Sequence, residues 1–316
     1  MLIWLKKRLI GISGAVGILT LLFLLLSLAA QWHFLFDMLT HCRLQYCLAL
    51  LSSGVCLLVL SKKRRFGLVF LLVGLVLLFS LAKFYLPQRK TDKDQVIRIV
   101  SLNVLTSNQS KDKVIRYIKS EKPNIIIVSE IDEIWRSALD KAFNKTHRYN
   151  KLWTSWDNFG IGVYSQLPFE PGSRIKHHGS FQIAYLDLYF RQQQEQFRVI
   201  GMHPVPPSNA AYWHERNKQM ADTAQLVADQ PDLPTIVCGD LNCSPWSPFY
   251  HEMLKVGNLS NAAEGFGLWP TWTAFSIFLG LPIDHVLVNS KVQVLDHRVG
   301  KNIGSDHRAI TVDLAF

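Results

Sequence analysis

Acidic residues are nearly missing from the first 93 positions, where Asp37 and Asp92 stand against twelve Lys/Arg. From residue 94 to 316 the two signs balance at twenty-two each, so the formal net charge of +10 belongs wholly to the front third. A basic protein invites a nucleic-acid reading, but the back two thirds has no overall positive field to support one. A local basic patch stays open. Cysteine is scarce too. The five present form no Cys-x-x-Cys pair and no Cys/His spacing suited to zinc, which removes the common zinc modules. Cys42, Cys47 and Cys56 fall in or near apolar segments. Cys238 and Cys243 are expected as unbridged thiols, since a disulfide between them would tie down a strand end. Internal repeats and low-complexity tracts are absent.

What the front third has in excess is apolar length. "LIGISGAVGILTLLFLLLSLAA" (9–30) carries no charge and exceeds the roughly 20 residues needed to span a bilayer. Two further segments, 44–61 and 66–82, read the same way, with Lys83 able to snorkel at the end of the third. Ser27-Leu28-Ala29 could pass for a signal-peptide cleavage site. The first run is too long for a usual signal core, however, and two more spans follow. Three retained membrane helices are expected. "KKR" (6–8) and "KKRR" (62–65) fall on one side of a three-span bundle, seven positive residues against five for Arg43, Lys83, Arg89, Lys90 and Lys93. By the positive-inside bias the amino terminus is cytoplasmic and the long tail extracytoplasmic, on an inner or plasma membrane. The chain thus divides into a membrane anchor (1–86), a polar linker (87–95) and a soluble domain (96–316).

Within the soluble part, short apolar strands alternate with amphipathic helices. Strands are expected at 96–104, 125–131, "FGIGVYS", "FQIAYLDLYF", "QFRVIGMHP", "TIVCGD", "DHVLVN", "VQVLDHRV" and "AITVDLAF". Helices are expected at 111–122, 134–143, about 210–229 and "PFYHEMLKV". Mixed strands with interspersed helices suggest two packed sheets with helices outside them, rather than a doubly wound parallel sheet. Continuous apolar runs imply sheets buried on both faces.

The chemistry-bearing residues sit where those runs stop. "CGDLNCSPWSP" (238–248) follows "PTIV" with a carboxylate and a carboxamide two apart, which alternation would place on one side of an extended chain. An Asx-type turn backed by Pro245 and Pro248 explains the same letters without any site. Asn103 in "SLNV", Glu130 in "VSEI", His203 in "GMHP" and Asp306-His307 in "GSDHR" lie at other strand ends, and Asp284 opens "IDHVLV". Singly each has an ordinary explanation as a solvated end, turn or cap. Together they are hard to ascribe to chance, because packed sheets bring strand ends to one rim.

In this order and context, "SLNV", "IIIVSEI", "GDLNCSP", "PIDHVLV" and "GSDHRAI" resemble the endonuclease/exonuclease/phosphatase superfamily, the DNase I-like fold of nucleases, inositol-phosphate phosphatases and bacterial sphingomyelinases. The resemblance covers about residues 96–316 and implies a four-layer α/β sandwich preceded by transmembrane helices. It implies metal-assisted phosphoester hydrolysis, with Glu130, Asn103 and Asp306 at Mg²⁺ or a substituting Mn²⁺. Oxygen ligands suit such a hard ion, which polarises a phosphoryl oxygen. His307 would be the general base, oriented by Asp284; Asp240 would orient the water, Asn242 would donate to a non-bridging oxygen, and His203 would contact the phosphate. A catalytically silent membrane scaffold that binds a phosphorylated ligand is the alternative, disfavoured because no expected position is missing.

Substrate is less legible. The loop 265–282 is strongly apolar, with Trp269, Trp272, Phe275, Ile277, Phe278 and Leu279, and should overhang the active rim; Trp246 follows "GDLN" closely. Packing on the domain or on its own membrane helices is the first expectation. Seating on a bilayer would favour a phospholipid-like substrate, and stacking on bases would favour nucleic acid. Trp246, Trp269 and Trp272 are therefore candidate substrate contacts. Asn209 and Arg216, around "WHERNKQM" (213–220), could touch phosphate, and "HHG" (177–179) reads as a surface loop. The expected partners are a phosphoester (nucleic acid or phospholipid) and the bilayer; no feature points to a protein partner.

Overall fold

The computed structural model describes residues 1–62, 64–87, 96–276 and 278–316. Lys63, residues 88–95 and Ile277 lie outside the described residues, and with them most of the expected linker and parts of the basic and apolar loops. The chain forms two compact units, Met1–Tyr85 with Trp246–Pro248, and Leu86–Pro245 with Phe249–Phe316.

The first unit holds α1 (Leu2–Ser27), α2 (Phe34–Thr40), α3 (Arg43–Leu60) and α4 (Arg64–Phe79), closed by a 3-10 turn at Ala82–Phe84. Three stretches, Ile3–Ser27, Arg43–Leu60 and Arg64–Phe84, are long and apolar enough to cross a membrane. Their outer faces stay apolar and exposed, as at Ile12, Leu19, Val59, Leu72 and Val76. Such a surface suits hydrocarbon rather than water. Between α3 and α4 a Cβ on Gly67 would lie 3.0 Å from the Gly54 carbonyl oxygen, so small residues set the close approach of these two helices. The sequence reading had no α2; His33 caps it, accepting the Leu35 N–H at 3.2 Å.

The second unit is a pair of six-stranded sheets. In chain order its elements are β1 (Ile97–Asn103), α5 (Lys111–Glu121), β2 (Ile125–Ser129), α6 (Glu133–Phe143), β3 (Tyr149–Trp153), β4 (Ile161–Ser165), β5 (Arg174–His178) and β6 (Ile183–Gln192). There follow β7 (Glu195–Gly201), α7 (Ala210–Ala228), β8 (Thr235–Asp240), α8 (Pro248–Val256), β9 (Leu259–Asn261), β10 (Asp284–Asn289), β11 (Gln293–Val299) and β12 (Ile310–Ala315). One sheet runs β11-β12-β1-β2-β4-β3 and the other β5-β6-β7-β8-β10-β9. Alternation along each strand builds the layers. Ile97, Ile99, Ile125 and Ile127 point between the sheets, against Leu186, Leu188, Val199, Ile236 and Val286. Their neighbours Val100, Leu102, Ile126 and Val128 point outward to α5 and α6, while Ile200, Val237 and Leu287 meet α7 and α8. The architecture is the expected four-layer sandwich.

Local rules explain the helices that cover it. Asp132 caps α6 by accepting the Trp135 N–H at 2.7 Å. Trp135, Leu139 and Phe143 then recur every four residues on the buried stripe. Truncating Leu139 to Ala would cost about 2–5 kcal/mol. Helix α5 stops at Lys122, which adopts a left-handed φ of 52° just before Pro123.

Three strands were missing from the sequence reading, β3, β5 and β9, and all three are sheet edges. An edge strand keeps one solvated side and needs no long apolar run. The "HHG" segment is corrected accordingly: His177 and His178 end β5 rather than forming a loop. His178 places Nδ1 3.0 Å from Glu215 and Nε2 2.8 Å from Asp222, both on α7. All five cysteines are unbridged, Cys238 and Cys243 within the core.

Candidate active site

Strand pairing brings the polar strand ends together. The β8–β10 register sets Asp240 directly opposite Asp284, and the parallel β1–β2 register sets Asn103 opposite Ser129, one residue before Glu130. Ser305, two residues before His307, donates to the Asn103 carbonyl at 2.8 Å and receives the His307 N–H at 3.0 Å. Residues far apart in the chain thereby meet at one rim of both sheets.

Asn103 is the hub. Its Nδ2 donates to Glu130 Oε1 at 2.8 Å and to Asp240 Oδ2 at 3.2 Å, while its Oδ1 takes the Leu105 N–H at 3.0 Å. That last bond fixes the amide orientation and turns the donor face, rather than the oxygen, toward the carboxylates. Glu130 follows β2 with a φ of 61°, a left-handed conformation uncommon for this residue type. It is held there by its N–H on the Gly160 carbonyl at 2.8 Å and by the Thr106 hydroxyl on its own carbonyl at 3.0 Å. Backbone strain of this kind, held by its surroundings, collects at functional positions.

Across the rim, His307 Nδ1 lies 2.9 Å from Asp284 Oδ2, and its Nε2 is 3.6 Å from Asp240 Oδ2. His203 Nε2 approaches the same Asp240 oxygen at 3.7 Å. The imidazole Nδ1–H donates to Asp284, which leaves Nε2 turned inward. Burial alone would lower the His307 pKa, but the charges of Asp284 and Asp240, the Asp284 hydrogen bond and the charge of Asp306 together raise it to about 10. Asn103, His203, Asp240, Asp284 and His307 are all buried, whereas Glu130, Asn242 and Asp306 are half-buried.

The "GDLN" turn satisfies both of its readings. Asn242 donates its N–H to Asp240 Oδ1 at 2.9 Å, an Asx turn, and sits at a φ of 48°. It therefore leaves the extended chain assumed from alternation, and its Nδ2 rests on the Pro204 carbonyl at 3.0 Å. Gly239 makes the approach possible. Its φ is +139°, and a Cβ there would lie 1.9 Å from the Met202 carbonyl oxygen, one residue before His203.

Arg216 requires correction. It is fully buried, and its guanidinium donates to the Asn242 carbonyl at 2.9 Å and to Asn217, so it braces the turn from behind instead of facing a phosphate. Asn209 caps α7, its side-chain oxygen taking the Tyr212 N–H at 2.9 Å. The apolar loop does adjoin the rim. Trp272 Nε1 donates to Asp306 Oδ2 at 3.0 Å, and the Trp272 backbone bridges His307. At the loop's tip Phe275, Phe278 and Leu279 are 70–74% exposed, so these side chains do not pack on the domain. Trp269 is half exposed, and Trp246 groups with the helical unit. Sequence reasoning missed Thr271, whose hydroxyl receives the Asp284 N–H at 3.1 Å, as well as Thr106 and Ser305. Nothing in the letters around them marked these hydroxyls.

The donor set fits a hard divalent cation. Asp306 Oδ1 is buried with no hydrogen-bond partner among the described residues, and Glu130 and Asp240 share a single amide nitrogen. Ligand atoms of Asp240, Asp284 and His307 also lie within 4.8 Å of one another. The 2.9 Å bond between His307 and Asp284 already engages that pair, so the carboxylates on the Asn103 side suit a cation better.

The sequence model of the Endonuclease/Exonuclease/phosphatase family matches residues 100–307. Among curated proteins none matches the chain. Solved structures with this fold include D. rerio TDP2 complexed with a single-strand DNA product (16% identity, TM-score 0.58, 71% of this chain and 100% of that one). The human Nocturnin catalytic domain with bound sulfate is similar (16%, 0.56, 70% and 93%), as is sphingomyelinase C from Streptomyces griseocarneus (14%, 0.51, 69% and 99%).

Proposed function

This chain belongs to the endonuclease/exonuclease/phosphatase family, and on that premise we propose that it is a membrane-anchored, Mg²⁺-dependent phosphoester hydrolase, specifically a phosphodiesterase. The observation that carries the reading is the His307–Asp284 pair at 2.9 Å with Asp240 directly opposite Asp284 in the sheet. In its neutral form, which a cation on the neighbouring carboxylates would favour by offsetting the charges that raise its pKa, His307 Nε2 takes a proton from an attacking water, and Asp284 holds the ring tautomer and stabilises the imidazolium. Asp240 accepts the water's second hydrogen, which aligns its lone pair with phosphorus. His203 and the Asn242 amide donate to non-bridging oxygens on the opposite side, with Asn242 braced by Arg216. Glu130 and Asp306, with Asn103 beside them, would hold Mg²⁺, and Mn²⁺ would substitute. The bound ion supplies Lewis-acid polarisation and screens the charge that develops on the phosphoryl group.

The substrate is a nucleic acid or a phospholipid-like envelope phosphoester. Neighbours of the same fold include a DNA-product complex and a sphingomyelinase, so the fold supports both. We place an anchor at 1–86, a linker at 87–95 and the catalytic domain at 96–316 on the extracytoplasmic side. Protease accessibility of the domain in sealed right-side-out and inverted vesicles tests the sidedness. Hydrolysis of bis(p-nitrophenyl) phosphate by the purified full chain, with Mg²⁺ or chelator and with His307→Ala alongside, tests the chemistry. Turnover that survives both chelation and the substitution would end this reading.

A further inference from the structure

The loop before β10 has a rigid base and an exposed apolar tip. At the base, Thr271 accepts the Arg308 N–H at 2.9 Å, and Trp272 pairs with Leu281 and bridges His307. Ala274 donates its N–H to the Asp306 carbonyl at 2.6 Å, and Arg308 Nη2 reaches back to the Ala274 carbonyl at 2.9 Å. The tip beyond this base presents Phe275, Phe278 and Leu279 to the outside, at 71%, 74% and 70% exposure. From Gly265 to Pro282 there is not one charged residue. Water-facing loops are rarely so apolar, and a cluster of this kind marks an interaction surface.

The occupant can be argued from charge and tethering. Nucleic-acid grip needs cations, and this loop has none on a stretch, 94–316, whose net charge is zero. A protein interface would rim its apolar centre with charged side chains as well as polar ones, and the loop has only hydroxyls to offer. A bilayer asks only for aromatic and aliphatic side chains that enter the acyl boundary. The same chain carries three membrane-length helices, so a bilayer is always within reach and even weak insertion is enough.

We propose that the tip side chains Phe275, Phe278 and Leu279 dock into the bilayer surface and that the phosphoester cleaved at the adjoining rim is an amphiphile presented by that bilayer. This deepens the hydrolase reading and rests on it. Trp272, with its indole on Asp306 and its backbone on His307, is the residue that joins the docked tip to the reacting groups.

The test uses the full chain reconstituted with Mg²⁺ in vesicles of equimolar phosphatidylcholine, phosphatidylglycerol and sphingomyelin, with headgroup release measured. The same preparation is assayed in detergent on bis(p-nitrophenyl) phosphate, and for nicking of supercoiled DNA. A variant with Phe275→Ser and Leu279→Ser changes two exposed side chains outside the catalytic machinery. Lipid hydrolysis should fall about tenfold or more while turnover of the soluble diester stays within about twofold. Equal loss on both substrates, unaltered lipid hydrolysis, or cleavage of the soluble diester with none of the three lipids attacked would overturn the docking role. Selective loss of DNA nicking would also overturn it, in favour of base stacking. If the unsubstituted chain hydrolyses neither the lipids nor the soluble diester, the hydrolase reading itself falls, and this inference with it.

Discussion

Asp240 and Asp284 are direct cross-strand neighbours on β8 and β10, and His307, 2.9 Å from Asp284, turns its other ring nitrogen back toward Asp240 at 3.6 Å. Two carboxylates so close are costly unless a cation or an imidazolium lies between them. The arrangement therefore ties the acid–base chemistry of the site to its charge state.

Replacing His307 with Ala removes the proposed base, and turnover should fall by roughly 10²–10⁴. Asp284→Asn keeps the shape but substitutes an amide for the acceptor of the Nδ1–H, so a loss of comparable order is expected. Steady-state kinetics should place the loss in kcat rather than KM. An Asp284→Asn enzyme with ordinary kcat would show that the ring needs no such partner.

The same pair predicts a pH dependence of stability. An unfolded histidine titrates near ~6.5, while folding raises His307 to about 10. Its contribution is whole below the unfolded value and disappears as pH rises through the folded one. Chelator-treated protein should melt at progressively lower temperature across that alkaline window. His307→Gln should flatten the slope; a His307→Gln protein with the same slope would place its origin elsewhere.

Cation binding should be visible without any substrate. Mg²⁺ added to chelated protein raises the melting temperature by mass action on the folded state. Glu130→Gln should abolish most of that rise, because it removes one charge from the carboxylates around Asn103. An undiminished rise in Glu130→Gln would mean that the ion sits elsewhere.

Gly239 carries a purely steric prediction. A methyl group there meets the Met202 carbonyl at 1.9 Å on a backbone of positive φ. Gly239→Ala should cost about 3 kcal/mol or more, a value reserved for strained or clashing positions. It should also push His203 away from Asp240, so denaturation midpoint and activity fall together. A Gly239→Ala protein with an unchanged midpoint would show that β7 and β8 can separate at little expense.

Much of this site was readable before any geometry was known, because a polar residue that ends a buried apolar run is conspicuous. Asn103, Glu130, His203, Asp240, Asp284 and His307 stood out on that ground, and strand pairing then collected them. Register was not readable: nothing in "GDLN" or "IDHV" states that Asp240 faces Asp284. Arg216 was misplaced because its helix looked polar, whereas its guanidinium is fully buried behind Asn242. Edge strands β3, β5 and β9 escaped because one solvated side leaves no apolar run. For the loop 265–282, packing on the domain or on the membrane helices was the first expectation, since apolar letters alone do not say what they face.

Strand β12 lies inside its sheet, between the edge strand β11 and β1, although it is made about two hundred residues after β1. During synthesis β1 has only β2 beside it until the final strand emerges, and the rim lacks His307 until the same moment. The order of the strands works as a built-in delay: the rim is complete only once β12 has been made and has paired with β1.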